Sequence, residues 1–415
     1  MDQYGVGSER KAEQEKIAAI RAELPAVQAN HYFNAGTNGP FPQRSYEALL
    51  QYARQELTDG RITLATWEKM RETGDQVRAQ MASILGCDPL EIALTHNTTE
   101  GMNIALMGLD WQRGDELVTA TTEHPGGLHP AYLLKQRYGV KLRMTEIGLP
   151  HVDSVAALEQ ALTPRTKAVV LSHVCWATGM VLPIREMAAL AHHYGALLIC
   201  DAAQSCGMVP ANVYDLGVDA YACSGQKWLC GPDGTGALFV RKDRLGEIQS
   251  TYMGYFGIKP GMSSTEGYFV PNDGARRYET ASQYYPAVKA FATSLAWLNE
   301  EIGLEWIHRR IADLGRYCYR ALESIPGVTM LTPSDQMAGL VHFTLEGMAP
   351  ADLTSKLREQ GILIRETPSP AANRVSLGFY NTREEVDHLA EAVAKLRAEA
   401  AIKQPAEASA KLPAD

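Results

Sequence analysis

The feature that most constrains the fold of this chain is a regular alternation of short apolar strands with helical segments between residues 90 and 242. The helical segments include 99–109, 127–138 and 184–194, and the strand segments read ELVTA, VKLRMTEI, KAVVLSHV, ALLICDA, VDAYACS and ALFVRK. Strands that alternate in this way with helices are typical of βαβ units. The sequence therefore predicts an α/β fold with a mostly parallel sheet that carries helices on both faces.

The remaining segments suggest how the chain is divided. Residues 1–28 read as a polar N-terminal lead-in with one short helix, and residues 401–415 as a flexible tail. Between them we predict a large domain over 29–285 and a smaller C-terminal α+β domain over 286–400. A chain of 415 residues is long enough for two or three domains, at roughly 150 residues each.

Composition excludes several classes of protein. Asp and Glu outnumber Lys and Arg by 48 to 39, so the formal net charge of −9 offers no general attraction for nucleic acid or for an anionic membrane surface. The seven cysteines contain no CxxC pair, which argues against a disulfide framework and a structural zinc site, and we predict no metal. The first twenty residues lack the apolar core of a signal peptide, and no run is long enough for a membrane helix. We therefore expect a cytoplasmic protein.

A carboxylate follows one of the most apolar strand segments. The stretch ALLICDAAQS ends its apolar run at Asp201, and Gln204 follows. In open α/β sheets, ligands bind outside the carboxyl ends of the strands, which is where Asp201 is expected. Taken alone, an aspartate at this position is also an ordinary loop or helix cap, so its meaning depends on its neighbours.

A lysine follows the next strand segment. Lys227 lies in SGQKWLCGPDGTG, between a buried strand and a glycine-rich turn. An amine that attacks a carbonyl group must lie in a confined, partly desolvated site that lowers its pKa, and this setting fits that requirement. Taken alone, a loop lysine is most simply a solvated side chain.

Three features together indicate a site for pyridoxal 5′-phosphate (PLP). This cofactor needs a lysine for its aldehyde, an acid against its pyridine nitrogen and a cradle for its phosphate. Lys227 and Asp201 supply the first two. The stretch HNTTEG places Thr98 and Thr99 at the predicted start of a helix, where first-turn amides and the helix dipole favour an anion, and Ser224 adds a hydroxyl. Ordinary helix capping explains the threonines equally well and does not exclude phosphate binding.

These residues also resemble a known family. The motifs DAAQS and SGQKW, the TTEG helix start, TEHPG at 122–126 and RVSLGFYNT at 374–382 are similar to those of the class V aminotransferase family, whose members are fold type I PLP enzymes. The similarity extends from about Tyr32 to Leu396. Within the family, GLDWQRGDEL, SHVCWATGMVLP and YETAS most resemble the cysteine/cystine C–S lyases, which are related to the cysteine desulfurases, and KWLCGP resembles the isopenicillin N epimerase branch.

The resemblance implies roles for particular residues. Lys227 would carry the cofactor, Asp201 would pair with its pyridine nitrogen, and His124 would stack on its ring, so these three would form the catalytic group. Taken without the family, His124 reads as a surface loop histidine. The other cofactor-binding residues that the resemblance implies are Gln204 at the ring hydroxyl, Thr99, Glu100, Ser224 and Gln226 around the phosphate, and Thr280 from a neighbouring subunit. A homodimer with shared active sites is implied as well.

The resemblance also points to residues that bind the substrate, which would be an amino acid. Arg374 matches the position that binds the α-carboxylate, consistent with the planar, two-pronged donor that arginine offers. Arg365 is either a second carboxylate-binding residue or part of a surface salt bridge. Gly36, in the stretch AGTNG, and Trp176 are expected beside the substrate.

Two positions depart from the family pattern. Gln226 stands where the family usually has histidine, which keeps a hydrogen-bond donor for the phosphate but removes any positive charge. Ala177 stands where the family usually has asparagine, which removes one polar contact near the ring hydroxyl or the substrate.

The sequence favours one reaction among those of the family. Cysteine desulfurases need a nucleophilic cysteine on a mobile loop between the two C-terminal strands, but the stretch 365–374 reads RETPSPAANR, and Cys175 is the one cysteine near the inferred pocket. We therefore expect β-elimination, in which Lys227 removes the Cα proton and the C–S bond of cysteine, cystine, a cysteine S-conjugate or a sulfoxide breaks. The products would be pyruvate, ammonia and a sulfur compound. Epimerisation, transamination, desulfuration and a PLP-binding protein with little turnover stay open.

Overall fold

The structure, a computed structural model, describes residues 3–409, with side-chain surroundings for 11–401. The helices are α1 Gln3–Ala22, α2 Pro25–Ala29, α3 Gln43–Asp59, α4 Leu64–Leu85, α5 Thr98–Met107, α6 Pro125–Tyr138, α7 Ser154–Ala161, α8 Ile184–His193, α9 Val213–Leu216, α10 Tyr285–Ala296, α11 Leu304–Glu323, α12 Pro350–Arg358 and α13 Arg383–Ser409. The strands are β1 His31–Tyr32, β2 Ile92–Thr95, β3 Glu116–Ala120, β4 Lys141–Thr145, β5 Thr166–Ser172, β6 Leu197–Asp201, β7 Ala220–Ser224, β8 Gly236–Val240, β9 Ile258–Ser263, β10 Phe269–Pro271, β11 Val328–Met330, β12 Leu340–Leu345, β13 Ile362–Leu363, β14 Arg365–Pro368 and β15 Ala371–Ser376.

Seven strands form the central sheet in the order β2-β8-β7-β6-β5-β3-β4. Strands β3 to β7 are mutually parallel, whereas β8 is antiparallel to both of its neighbours. Side chains alternate between the two faces, so that Val169 and Leu171 join one apolar cluster while Ala168 and Val170 join another. Burial on both faces explains why these strands read as continuous apolar runs. The predicted mostly parallel sheet between layers of helices is confirmed.

The sheet brings the ends of several strands together at one edge. Ser172 at the end of β5 lies opposite Asp201 at the end of β6, and Asp201 lies opposite Ala222 in β7. Because β2 runs in the same direction as β7, helix α5 also begins at this edge. The parallel arrangement therefore gathers segments that are far apart in the sequence.

A smaller unit is built on the four-stranded antiparallel sheet β11-β12-β15-β14, which packs with α11, α12 and α13. Its apolar core includes Val341, Phe343 and Val375. Phe33 belongs to the same core, and β1 pairs with β13. Residues 31–33 therefore pack with the small unit, although the sequence predicted them in the large domain.

Three other segments differ from the sequence expectations. Helix α10 packs against α3 and α4, so the chain leaves the large unit after the boundary predicted at 285–286. Helix α1 is longer than the one short helix predicted for the lead-in, and it is tied to the small unit by an ion pair between Arg21 and Glu385 at 2.8 Å. Helix α13 continues to Ser409, into the segment predicted as a flexible tail, and residues 410–415 lie outside the described residues. Within the described part of the chain, no helix combines the length and apolar composition that a membrane span needs.

Candidate active site

A cavity of about 210 Å³ opens at the carboxyl edge of the central sheet, beside the small unit. Every predicted site residue lines it except Glu100 and Thr280. The structure therefore brings together residues from the N-terminal segment, from the loops after β2, β3, β5, β6 and β7, and from β14 and β15.

Lys227 and Asp201 form the charged base of this cavity. Asp201 is buried, with 4% of its surface exposed, and its Oδ1 accepts a hydrogen bond from the backbone N–H of Ala203 at 2.9 Å. Burial raises the pKa of Asp201, although the Ala203 bond and the charge of Lys227 act in the opposite direction. Burial lowers the pKa of Lys227 to about 8, against the attraction of Asp201. Lys227 thus has an appreciable neutral fraction near pH 7, as an attacking amine requires.

The turn that carries Lys227 packs directly against the N-terminal AGTNG segment. The backbone N–H of Gly39 donates to the carbonyl oxygen of Gln226 at 2.7 Å. A Cβ at position 39 would lie 2.1 Å from the carbonyl oxygen of Lys227, so only glycine fits there. A Cβ at Gly36 would likewise lie 2.9 Å from Oε1 of Gln204. Glycines in this segment therefore let the backbone form one wall of the cavity.

One end of the cavity has unpaired polar atoms around the start of α5. Among the described residues, Thr98 Oγ1, Ser224 Oγ and Gln226 Oε1 are buried without a hydrogen-bond partner. Asn97 caps the helix by accepting from the backbone N–H of Glu100 at 2.9 Å, and the other first-turn amides have no intrahelical acceptor. Buried polar atoms without partners are rare in native proteins. This end of the cavity suits an oxygen-rich anionic group such as a phosphate.

A neutral imidazole forms another wall. Nδ1 of His124 accepts from the backbone N–H of Gly126 at 3.0 Å, so the ring proton is on Nε2. The ring meets that of Trp176 edge to face, with centroids 5.0 Å apart and planes at 86°. Partial burial and the positive charge of Lys227 lower the pKa of His124 to about 4. An uncharged ring with a fixed orientation suits stacking on a planar ligand.

Two hydrogen bonds fix the side-chain amide of Gln204 at the cavity wall. Its Nε2 donates to the carbonyl oxygen of Gly36 at 2.9 Å, and its Oε1 accepts from Nε1 of Trp228 at 3.0 Å. The amide therefore has a fixed position on the cavity wall, and its predicted contact with the ring hydroxyl stays a prediction.

Glu100 and Thr280 lie outside the cavity of this chain. The carboxylate of Glu100 accepts from the backbone N–H of His96 and contacts its Nδ1 at 2.8 Å. The prediction that Glu100 binds the cofactor therefore does not match the position of its side chain, which is drawn back to the helix start by the groups it caps. Thr280 was expected to act from a neighbouring subunit, so its role concerns a second chain and stays a prediction.

Two arginines meet at the side of the cavity nearest the small unit. Arg374 and Arg365 are register partners in β15 and β14, and only 1% of Arg374 is exposed. Both donate to the hydroxyl oxygen of Thr37, Arg374 from Nη2 at 2.9 Å and Arg365 from Nη1 at 3.1 Å. The Thr37 hydroxyl donates in turn to Oδ1 of Asn34 at 2.7 Å.

This pair of guanidinium groups is an anion-binding arrangement. No carboxylate of the described chain forms an ion pair with Arg374, and its Nε is buried without a partner. Burial, reinforced by the charge of Arg365, lowers the pKa of Arg374 to about 9. Sequence reasoning missed Thr37 and Asn34, and the signal available for them was the polar pair enclosed by small residues in NAGTNG.

Comparison with known proteins shows the family of this chain. The family model described as aminotransferase class-V matches residues 31–389. The chain belongs to the class V aminotransferase family, and its cofactor is pyridoxal 5′-phosphate.

Individual relatives cover nearly the whole chain. Two solved structures of C-DES are 31% identical to it: one, with glycine covalently linked to the PLP cofactor, has a TM-score of 0.86 and covers 90% of this chain and 98% of its own. The other is described as the cystine C–S lyase C-DES in complex with its reaction product cysteine persulfide. It has a TM-score of 0.85 and covers 89% of this chain and 99% of its own. A probable cysteine desulfurase of Methanothermobacter thermautotrophicus is 27% identical, covering 91% of this chain and 97% of the relative. Isopenicillin N epimerase of Streptomyces clavuligerus is 28% identical, and the match covers 88% of this chain and 94% of the relative.

The residues present fit the cofactor. The unpaired atoms of Thr98, Ser224 and Gln226 suit its phosphate, His124 suits its ring, and Lys227 and Asp201 suit its aldehyde and pyridine nitrogen. When bound, PLP withdraws electrons and so stabilises negative charge at the substrate Cα.

The lowered pKa of Lys227 predicts how cofactor uptake depends on pH. Only the neutral amine attacks an aldehyde, and for a pKa of about 8 the neutral fraction rises from about one tenth at pH 7 to about nine tenths at pH 9. We therefore expect the rate at which apo-protein gains a visible absorbance on mixing with PLP to rise roughly tenfold over this range and then level off. A rate that keeps rising tenfold per pH unit up to pH 10 would show that the amine has an ordinary lysine pKa.

Proposed function

We propose that this enzyme is a PLP-dependent C–S β-lyase that acts on cystine or on another cysteine S-conjugate or sulfoxide. Cysteine itself is a further candidate substrate. The similarity to C-DES supports this proposal, since that protein is described as a cystine C–S lyase. The relatives described as cysteine desulfurases make desulfuration the main alternative.

The observation that carries the proposal is the lack of a thiol at the cavity. Strands β14 and β15 are joined by Ser369 and Pro370 alone, with Pro368 opposite Ala371, so this hairpin has no room for a mobile loop. None of the residues that line the cavity is a cysteine. Cys175 is buried, and burial raises the pKa of its thiol, which disfavours the reactive thiolate. Among the described residues, the cavity therefore offers no thiol that could accept a persulfide sulfur.

The two arginines favour a substrate with two carboxylates. A single α-carboxylate uses one guanidinium group, that of Arg374. The half-buried Arg365 beside it has no ion pair among the described residues, so it can bind a second negative charge of the ligand. Cystine carries one carboxylate at each end. Disulfide sulfur is also a better leaving group than a thiolate, because the persulfide that departs is a weaker base.

The side chains can perform the elimination without a redox partner. With PLP bound, Lys227 Nζ would take the proton from the substrate Cα, Asp201 would pair with the pyridine nitrogen, and Arg374 would hold the α-carboxylate. The Cβ–S bond then breaks and its electron pair leaves with the sulfur. Overall, cystine and water give pyruvate, ammonia and the persulfide of cysteine, so no oxidant or reductant is consumed.

The proposal is tested by identifying the carbon product made from cystine and from cysteine. We expect stoichiometric pyruvate and ammonia from cystine, and the same products from the Cys175→Ala variant. Alanine in place of pyruvate, or activity lost in Cys175→Ala, would instead establish a desulfurase route through a protein thiol. S-methylcysteine, a cysteine S-conjugate with a single carboxylate, serves as the control for the role of the second arginine.

One alternative has an observation in its favour. The 28% identity with isopenicillin N epimerase makes inversion at Cα a second candidate, since both reactions begin by removing the Cα proton. Recovery of the amino acid with inverted configuration and no keto acid would support it. An amino acid returned unchanged, with a visible absorbance but no turnover, would support a PLP-binding protein.

We also propose the homodimer with shared active sites that the family implies. Support comes from exposed aromatic side chains on the segment that leads to Thr280, where at least 44% of the surface of each of Tyr252, Tyr255 and Phe269 is accessible in the single chain. Exposed apolar clusters of this kind are typical of protein interfaces. A cytoplasmic location remains the expectation from the sequence.

A further inference from the structure

Glu123 is a buried acid beside the site that the reaction does not use. It precedes His124, but its side chain points into the protein, with 4% of its surface exposed. Its Oε1 accepts from the backbone N–H of Ser172 at 2.8 Å, and its Oε2 lies 2.5 Å from Ser172 Oγ. Ser172 is the last residue of β5 and the register partner of Asp201.

These contacts form a short connection between two residues at the cofactor. Ser172 is fixed by the sheet next to Asp201, and Glu123 fastens the turn after β3 to Ser172. The same turn carries His124, and Thr122 holds it from the other side by donating to the carbonyl oxygen of Ile147 at 2.7 Å. The Glu123–Ser172 contact therefore links the turn that carries His124 to the strand end beside Asp201.

We propose that Glu123 is a positioning residue that clamps the His124 turn to the end of β5 and so sets the place of the stacking ring against the cofactor.

The surroundings of Glu123 argue against a purely structural ion pair. Glu116, at the other end of β3, is equally buried but binds Arg143 at 2.6 Å and Arg165 at 3.0 Å. Among the side chains described, no lysine or arginine forms an ion pair with Glu123. Burial and the nearby charge of Asp201 raise its pKa to about 8, and its Oε2 accepts from the Ser172 hydroxyl. Glutamine can make both of these contacts.

The test compares four variants: Glu123→Gln, Glu123→Ala, Ser172→Ala and, as a control, Glu116→Gln. Glutamine accepts from the Ser172 N–H and donates to its hydroxyl, so Glu123→Gln keeps the clamp. Glu123→Ala removes both contacts, whereas Ser172→Ala removes the hydroxyl contact and keeps the backbone N–H bond. Glu116→Gln changes a buried acid of the same strand away from the cavity.

Two properties are measured for each folded variant: the dissociation constant of PLP from the apo-protein, and the visible circular dichroism of the bound cofactor, which depends on how its ring is held. We expect about tenfold weaker binding and a reduced signal in Glu123→Ala, and a smaller loss of about threefold in Ser172→Ala, which keeps one of the two hydrogen bonds. Glu123→Gln should stay within about twofold of the parent, and Glu116→Gln should lower only the melting temperature.

Two results would overturn the proposal. The first is parental PLP affinity and circular dichroism in Glu123→Ala, or in Ser172→Ala should Glu123→Ala not fold. The second is a Glu123→Gln variant as impaired as Glu123→Ala, since the clamp is then intact and the charge is what matters. Neither measurement depends on which reaction the enzyme catalyses, so the proposed function can fail while this inference holds.

Discussion

Replacing Lys227 with alanine is expected to abolish the visible absorbance of the protein with PLP and to lower the rate of pyruvate formation from cystine at least about 10³-fold. Lys227 is the lysine that lines the cavity, and its pKa of about 8 makes its amine available near neutral pH. The variant loses both the amine that holds the aldehyde and the base that takes the Cα proton. Absorbance spectra and a keto-acid assay measure the two losses separately.

The matched control is Lys395→Ala, which changes an exposed lysine on α13 that does not line the cavity. It should keep the absorbance and the rate of the parent. If Lys227→Ala keeps its visible absorbance, then another lysine carries the cofactor and the site is wrongly assigned.

The second large effect is expected for Arg374→Ala. The lost charge-assisted contact with the α-carboxylate should lower kcat/KM for cystine roughly a hundredfold, which corresponds to ~3 kcal/mol. Most of the change should be in KM, because the contact is made with bound substrate as well as in the transition state. The visible absorbance should persist, since Lys227 and Asp201 are untouched.

Arg365→Ala separates the roles of the two arginines. It should weaken the reaction of cystine and leave that of S-methylcysteine, which has one carboxylate, nearly unchanged. Arg309→Ala, at an exposed position of α11, is the control for loss of a positive charge. An unchanged KM for cystine in Arg374→Ala would remove this residue from the substrate site.

The central sheet and most of the cavity could be predicted because they depend on local patterns. Apolar runs such as ALLICDA are long enough to identify buried strands, and in a parallel sheet their carboxyl ends must meet at one edge. Asp201, Ser224 and Lys227 all follow from that rule. One division is not visible in local patterns: within the apolar stretch ILIRET, Ile362–Leu363 and Arg365–Pro368 join different sheets.

Residues that act through long-range contacts could not be identified from the sequence. In the sequence, Thr37 is only one residue of the stretch AGTNG, because its partners Arg365 and Arg374 lie more than 320 positions away. Glu123 was read only as part of the TEHPG motif, since its contact with Ser172 depends on β3 and β5 being neighbours. For Glu100, the TTEG motif suggested a contact with the cofactor. In the structure its carboxylate instead contacts the backbone N–H and the Nδ1 of His96.

By itself, the sequence determined the fold class, the lysine, the strand-end acid, the arginines and the absence of a thiol between the last two strands, because each is written into a short stretch of residues. Only the tertiary structure decided that two guanidinium groups share one hydroxyl with no acidic partner among the described residues, and that the buried Glu123 carboxyl group contacts Ser172 beside the turn that carries His124. Such arrangements require segments far apart in the chain to come within hydrogen-bond distance, and that proximity is set by the packing of the whole fold.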